Sequence, residues 1–185
     1  MSVTALAQKH ALTAATAALF ALAFWRIGLT PELPAVLAFT FGGVLLAAID
    51  WKVHRLPTRL IYLTTAGVAA SLMFAAVVER DAMRLATAAA GAVLLANAFF
   101  LVWFVSRRFI GLMVIGFGDV RLALLLGLLL GWYGLPDVLY GVVAGHVLAV
   151  ALAIGTCIRE RKLHLRYSFG PPLIVGSLAV VLLQA

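Results

Sequence analysis

Charge is scarce in this chain. Seven Asp and Glu and 14 Lys and Arg stand among 185 residues, so charged residues make up 11% where soluble domains carry roughly 25%. So few charges cannot cover the outside of a soluble fold of this size, which excludes a soluble enzyme. Cysteine is nearly absent: Cys157 stands alone. An internal disulfide framework and a cysteine-based metal cluster are therefore ruled out. The four histidines fall on separate segments without ligand spacing, so neither a metal nor a cofactor is expected. What fills the chain is apolar. Hydrophobic residues reach 65% and mean hydropathy is +1.13, which excludes a disordered or fibrous chain and leaves a polytopic membrane protein.

The charges divide the chain into seven apolar stretches: His10–Trp25, Leu33–Ile49, Leu60–Val78, Leu85–Ser106, Leu122–Pro136, Val138–Ile158 and Tyr167–Ala185. A spanning helix needs about 17–25 apolar residues, and flanking polar residues extend the two shortest stretches to that length. None of the runs alternates polar and apolar residues as a membrane barrel strand must. The fold class expected is all-α, a bundle of about seven transmembrane helices. No linker or low-complexity tract interrupts it, so residues 1–185 read as a single domain. The first stretch has some marks of a cleavable signal peptide, with Lys9 before it and Ala21-Leu22-Ala23 within it. Arg26 directly after the run, and a second apolar stretch after Pro34, favour a retained helix.

A net charge of +7 would suggest nucleic acid on a soluble domain. Here it reads as orientation, and no nucleic-acid partner is expected. With seven spans, ten of the 14 basic residues fall on the side of the N-terminus and three on the other. By the positive-inside rule the N-terminus is cytoplasmic and the protein lies in the plasma membrane of the cell, the inner one where there are two. The three longest connections, Asp50–Arg59, Arg107–Gly118 and Arg159–Phe169, then share the cytoplasmic side, where a working surface is expected.

With so few acids, each can be assigned. Glu32, Glu79, Asp81 and Asp137 fall in the short outer connections and read as solvated loop charge; Glu160 sits among Arg159, Arg161 and Lys162. Asp50 closes the second stretch. Its bland reading is an interfacial acid paired with Lys52 or Arg55, although a carboxylate at a helix C-terminus faces the unfavourable end of the dipole. Asp119 follows Gly116-Phe117-Gly118 and opens the fifth stretch. Its bland reading is an N-cap. The two glycines permit backbone angles and close approaches that a side chain would block, so an extended substrate could lie against them. Both acids fall at the same end of the bundle, and ionisable residues at such positions are functional candidates. Two carboxylates sharing one proton are the working arrangement of an aspartic protease.

At this point the sequence resembles a family, the prepilin peptidases: GxGD-type membrane aspartic proteases that remove the leader peptides of type IV prepilins. Asp50-Trp51-Lys52-Val53-His54-Arg55-Leu56-Pro57-Thr58 is similar to the family's first motif, and Gly116-Phe117-Gly118-Asp119-Val120-Arg121-Leu122 to its GxGD motif. Phe169-Gly170-Pro171-Pro172 resembles a third block near the C-terminus. The resemblance implies that Asp50 and Asp119 are catalytic, that Gly116 and Gly118 meet the substrate, and that the partners are prepilin or pilin-like precursors, with membrane lipid around them. Thr58 stands where the family carries Asn or Asp, and could still cap the third helix. The long cytoplasmic insertion with paired cysteines is missing, so the short, peptidase-only type associated with Flp/Tad-like pili is implied, without N-methyltransferase activity.

Other features have plainer readings. Asn97 and His146 are expected to be satisfied by helix–helix hydrogen bonds, and the Gly127/Gly131 and Gly141/Gly145 pairs to mark close helix packing. Arg107 and Arg108 read as topology determinants or lipid-headgroup contacts, and Phe109–Gly118 as an interfacial segment near incoming substrate. Two rival functions use the same residues. A proton- or ion-coupled transporter would bind a cation at the two acids, but predicts further charge or a broken helix at mid-depth. A noncatalytic subunit of a pilus-assembly machine would not need the acids at all.

Overall fold

The computed structural model describes residues 3–53, 56–110, 115–160 and 169–184. Its described residues are helical almost throughout and contain no strand. Seven α-helices follow in order: α1 Val3–Ile27, α2 Leu33–Val53, α3 Thr58–Glu79, α4 Ala82–Val105, α5 Phe117–Tyr133, α6 Leu135–Glu160 and α7 Gly170–Gln184. A π-helical segment, Ser106–Ile110, prolongs α4. Among the described residues four segments are long and apolar enough to cross a membrane: α2, α3, Ala82–Phe109 and the Leu135–Ile158 part of α6. Helices α5 and α7 are shorter, with 17 and 15 residues. The chain is a helical membrane bundle of the expected class.

Helix α5 lies at the centre of the packing. Leu122, Ala123, Leu125, Leu126, Leu129 and Leu130 are all wholly buried. A helix apolar on every side can face either protein or lipid, and this burial places α5 against protein. The outer helices do the opposite: Met73 and Val77 of α3, Leu101 of α4 and Val147 of α6 turn outward and are 57–76% exposed, as lipid-facing residues must be. Close approach sets the α4–α5 crossing. A side-chain carbon on Gly127 would collide with the Gly91 carbonyl, and one on Gly91 would lie 2.6 Å from the Gly127 oxygen. The expected Gly127/Gly131 packing is thus against α4. Gly141 and Gly145 serve two different neighbours, Leu130 of α5 and Leu173 of α7.

Helix boundaries depart from the charge pattern in a regular way. Asp50, Lys52, Arg84, Asp119, Arg121 and Asp137 lie inside helices rather than between them. The α5–α6 break falls at Gly134, before Pro136, because proline is tolerated in the first turn of a helix but not in its interior.

The end of the bundle away from Asp50 is also more ordered than solvated loop charge would be. Arg84 Nη1 donates to Glu79 Oε2 at 2.7 Å and to Glu32 Oε2 at 3.4 Å, and its guanidinium stacks 4.6 Å above the Trp132 ring. Asp137 is buried and accepts from Gln184 Nε2 at 2.7 Å. Asp81 caps α4 through the Met83 and Arg84 amides. Of the four outer acids, three therefore join helices and the fourth starts one. Short connections bring these side chains within reach of one another.

Candidate active site

Three helix ends meet around Leu56: the end of α2, which bears Asp50, and the starts of α7 and α5. Asp50 lies one turn before the end of α2 and is buried, with 5% exposure, whereas the neighbouring Lys52 is exposed. This differs from an exposed interfacial acid; His54 and Arg55 of the same motif lie outside the described residues. Against it stands the start of α7. A side-chain carbon on Gly170 would fall 2.7 Å from Asp50 Oδ2 and 3.5 Å from Leu56 Cδ2. Any other residue at Gly170 would push the carboxylate aside. Pro171 and Pro172 follow and carry no N–H, and the Leu173 N–H is taken by the Phe169 carbonyl at 3.3 Å. The first turn of α7 thus brings little but backbone and apolar surface to the acid.

The third end is the start of α5. Gly116 is the N-cap and Asp119 sits three residues on, so Asp119 is not itself the cap. Its Oδ2 accepts the Gly116 N–H at 3.0 Å, the reach-back half of a capping box, which a glycine N-cap cannot complete from its own side. That bond occupies one carboxylate oxygen and fixes the direction of the side chain. Gly118 packs against Leu56, whose Cβ would lie 3.2 Å from a side-chain carbon there. Leu56 therefore touches both the Gly118 segment, which bears Asp119, and the Gly170 segment, which packs on Asp50, and so joins the two.

The expectation about the glycines changes in part. Gly116 has φ −77 and ψ 152, extended angles open to any residue. The close approach is real at Gly118, where the neighbour is Leu56. Among the described residues no group of three His, Cys, Asp or Glu side chains converges to hold a metal ion.

Other residues enter the site that the two-acid reading left aside. Arg121 donates from Nη1 to Thr58 Oγ1 at 2.6 Å and stacks 4.7 Å above the Phe117 ring. Thr58 is the first residue of α3, whose N-cap is Pro57 without a side-chain cap bond; it serves Arg121 rather than capping its helix. Gly170 and Leu56 were visible in the sequence only as members of motif blocks. Nothing local announces that they meet.

Two expected helix–helix bonds are corrected. Asn97 Nδ2 donates to Val93 O at 2.8 Å, and His146 Nδ1 lies 2.8 Å from Val142 O. Both partners are one turn back on the same helix. Residues 111–114 of the proposed interfacial segment, with Arg161, Lys162 and Arg166, lie outside the described residues.

An apolar cavity of about 490 Å³ opens beside Asp119, with Ile115, Phe169 and His146 also in its lining.

Comparison with known proteins completes the description. No curated protein and no solved structure matches the chain. The family model described as the type IV leader peptidase family matches residues 37–158. The match begins within α2 and ends within α6, so it encloses both Asp50 and Asp119, and it covers the greater part of the 185 residues. The chain belongs to the type IV leader peptidase family.

Proposed function

We propose that this protein is a membrane aspartic endopeptidase that removes the leader peptide of type IV prepilins, those of the Flp/Tad-like kind, with Asp50 and Asp119 as its catalytic pair. The observation that supports the proposal is the packing of Gly170 on Asp50, with Leu56 against both Gly170 and Gly118 next to Asp119, in a chain of the leader peptidase family.

A pair of carboxylates at close quarters works with one proton between them, and its titration belongs to the pair. The ionised member takes a proton from a water molecule as the water oxygen attacks the scissile carbonyl carbon. The neutral member donates its proton to the carbonyl oxygen. The tetrahedral intermediate then collapses: the C–N bond breaks, the proton taken from water passes to the leaving amine, and one hydroxyl proton of the intermediate returns to the carboxylate that had donated it, restoring the pair. No metal or cofactor enters these steps. Gly116 and Gly118 are the place where the extended scissile segment lies, beside Asp119.

The wider reading follows from charge. Basic residues concentrate on the connections at the Asp50 end, which makes that end cytoplasmic. A precursor whose basic leader stays in the cytoplasm and whose apolar helix lies in the membrane presents its cleavage site at that depth. The membrane is the plasma membrane, and the compact chain works as a peptidase without methyltransferase activity.

The test is co-expression with candidate prepilins, reading the new N-terminus by mass spectrometry. Asp50→Asn and Asp119→Asn should each abolish leader removal while the protein still accumulates folded. Normal processing by either variant would overturn the mechanism.

A further inference from the structure

The cavity beside Asp119 does not end there. A second cavity of about 350 Å³ lies between α4 and α6, lined by Leu94 and Leu135 among others. The two cavities share Leu95, Ala98 and Leu139 in their walls. They form one cleft between α4 and α6, floored at the acid end by Leu173 of α7. From His146 to Leu135 the α6 wall runs eleven residues, roughly 16 Å at 1.5 Å per residue. Its flanks remain uncovered: Leu94 is 58% exposed and Leu139 is 68% exposed. Among the described residues of the lining, Asp119 and His146 bring the only ionisable side chains, both in the half near the site.

We propose that this α4–α6 cleft is the docking groove for the apolar helix of the precursor, which lies along it with its N-terminal end at Asp119. The inference rests on the peptidase reading and adds the path of the substrate. Continuity is the argument. The acid that must meet the scissile bond is itself part of the groove wall, so a chain cut at Asp119 and continuing into the membrane has an apolar channel beginning at the point of cleavage. Direction follows: residues just after the cut pass Phe169 and His146, and later ones reach Leu139 and Leu135. An apolar helix of about a dozen residues fills that length, burying its own side chains and those of the exposed flanks. A lipid acyl chain is the competing occupant, and it has no reason to end at a carboxylate.

Photo-crosslinking in membranes tests the path. A benzophenone side chain is placed at Leu94 or Leu139, or at Met73 or Val77 on the outer face of α3, in the Asp119→Asn background with the precursor co-expressed. Precursor adducts at Leu94 and Leu139, and none at Met73 or Val77, are expected. Lipid adducts alone at the groove positions, or precursor adducts at α3 alone, overturn the proposal. In the active enzyme, Ala98→Trp and Leu139→Trp should each lower kcat/KM for the precursor at least tenfold, whereas Val77→Trp should not change it. If the unmodified enzyme removes no leader, the peptidase reading fails while the adducts still decide the groove. If it does, and the tryptophan variants process normally, the groove alone is wrong.

Discussion

Arg121 Nη1 reaches across to α3 and donates a 2.6 Å hydrogen bond to Thr58 Oγ1. The bond joins the two motif blocks: Thr58 ends the one that begins with Asp50, and Arg121 stands two residues after Asp119. The guanidinium is otherwise held by rings, 4.7 Å above Phe117 and 5.9 Å from Tyr62, and its Nε is buried without a hydrogen-bond partner. Thr58 is thus the acceptor on which a half-satisfied cation depends.

Removing that acceptor should be costly. Thr58→Val keeps the shape and withdraws the oxygen, leaving a part-buried donor unpaired at a cost of about 1 kcal/mol. Thr58→Ser should remain near the parent. Thermal unfolding in detergent measures both, and a Thr58→Val protein as stable as the parent would mean that the bond contributes nothing.

Gly170 should be intolerant for a different reason. In Gly170→Ala the new carbon would meet Asp50 Oδ2 at 2.7 Å, so the carboxylate must move. A displacement of this kind at a catalytic group costs on the order of 100-fold in rate. Leader removal should fall accordingly with the helical content unchanged. Gly155→Ala is the control: nothing lies within 4 Å of the added carbon, and it should gain about 0.5–1 kcal/mol of stability.

The α4–α5 crossing predicts a stability defect without a local effect on the acids. Gly127→Ala drives a methyl group into the Gly91 carbonyl and should cost about 1–3 kcal/mol through overpacking. Gly127→Leu should fail to accumulate as folded protein. Unfolding midpoints for the first, and the yield of folded protein for the second, are the measurements; a Leu variant of normal yield would show that the two backbones need not touch.

At the opposite end, Arg84 neutralises Glu32 and Glu79 and covers Trp132. Its side chain is 33% exposed and that of Glu32 12%, so solvent screens part of the interaction. Arg84→Ala should destabilise by about 1–2 kcal/mol, with leader removal per folded molecule unchanged. A thermal melt and a processing assay normalised to folded protein separate the two effects.

How much was legible in advance follows from how local each signal is. An apolar run of spanning length is a property of adjacent residues, so the number and order of the helices, and their all-α class, could be read directly. The motif blocks around Asp50 and Asp119 were legible for the same reason. Solvated loop charge was the wrong reading for Glu32 and Asp137, because the partners Arg84 and Gln184 lie 52 and 47 residues away. Helix–helix bonding was the wrong reading for Asn97 and His146, because each bonds a carbonyl one turn back on its own helix.

The sequence by itself determined that seven helical segments form and that few charges are available for chemistry, since hydrophobic transfer acts residue by residue. Only the tertiary structure decided which helix is innermost. A segment such as Leu122–Leu130 is apolar on all faces, so its periodicity cannot say what surrounds it; the contacts of Gly91 with Gly127 and of Leu130 with Gly141 do. The meeting of Asp50 with Gly170, 120 positions later in the chain, is likewise a product of packing. Helix ends distant in sequence are brought to one depth by the bundle, and with them the groove that begins at Asp119.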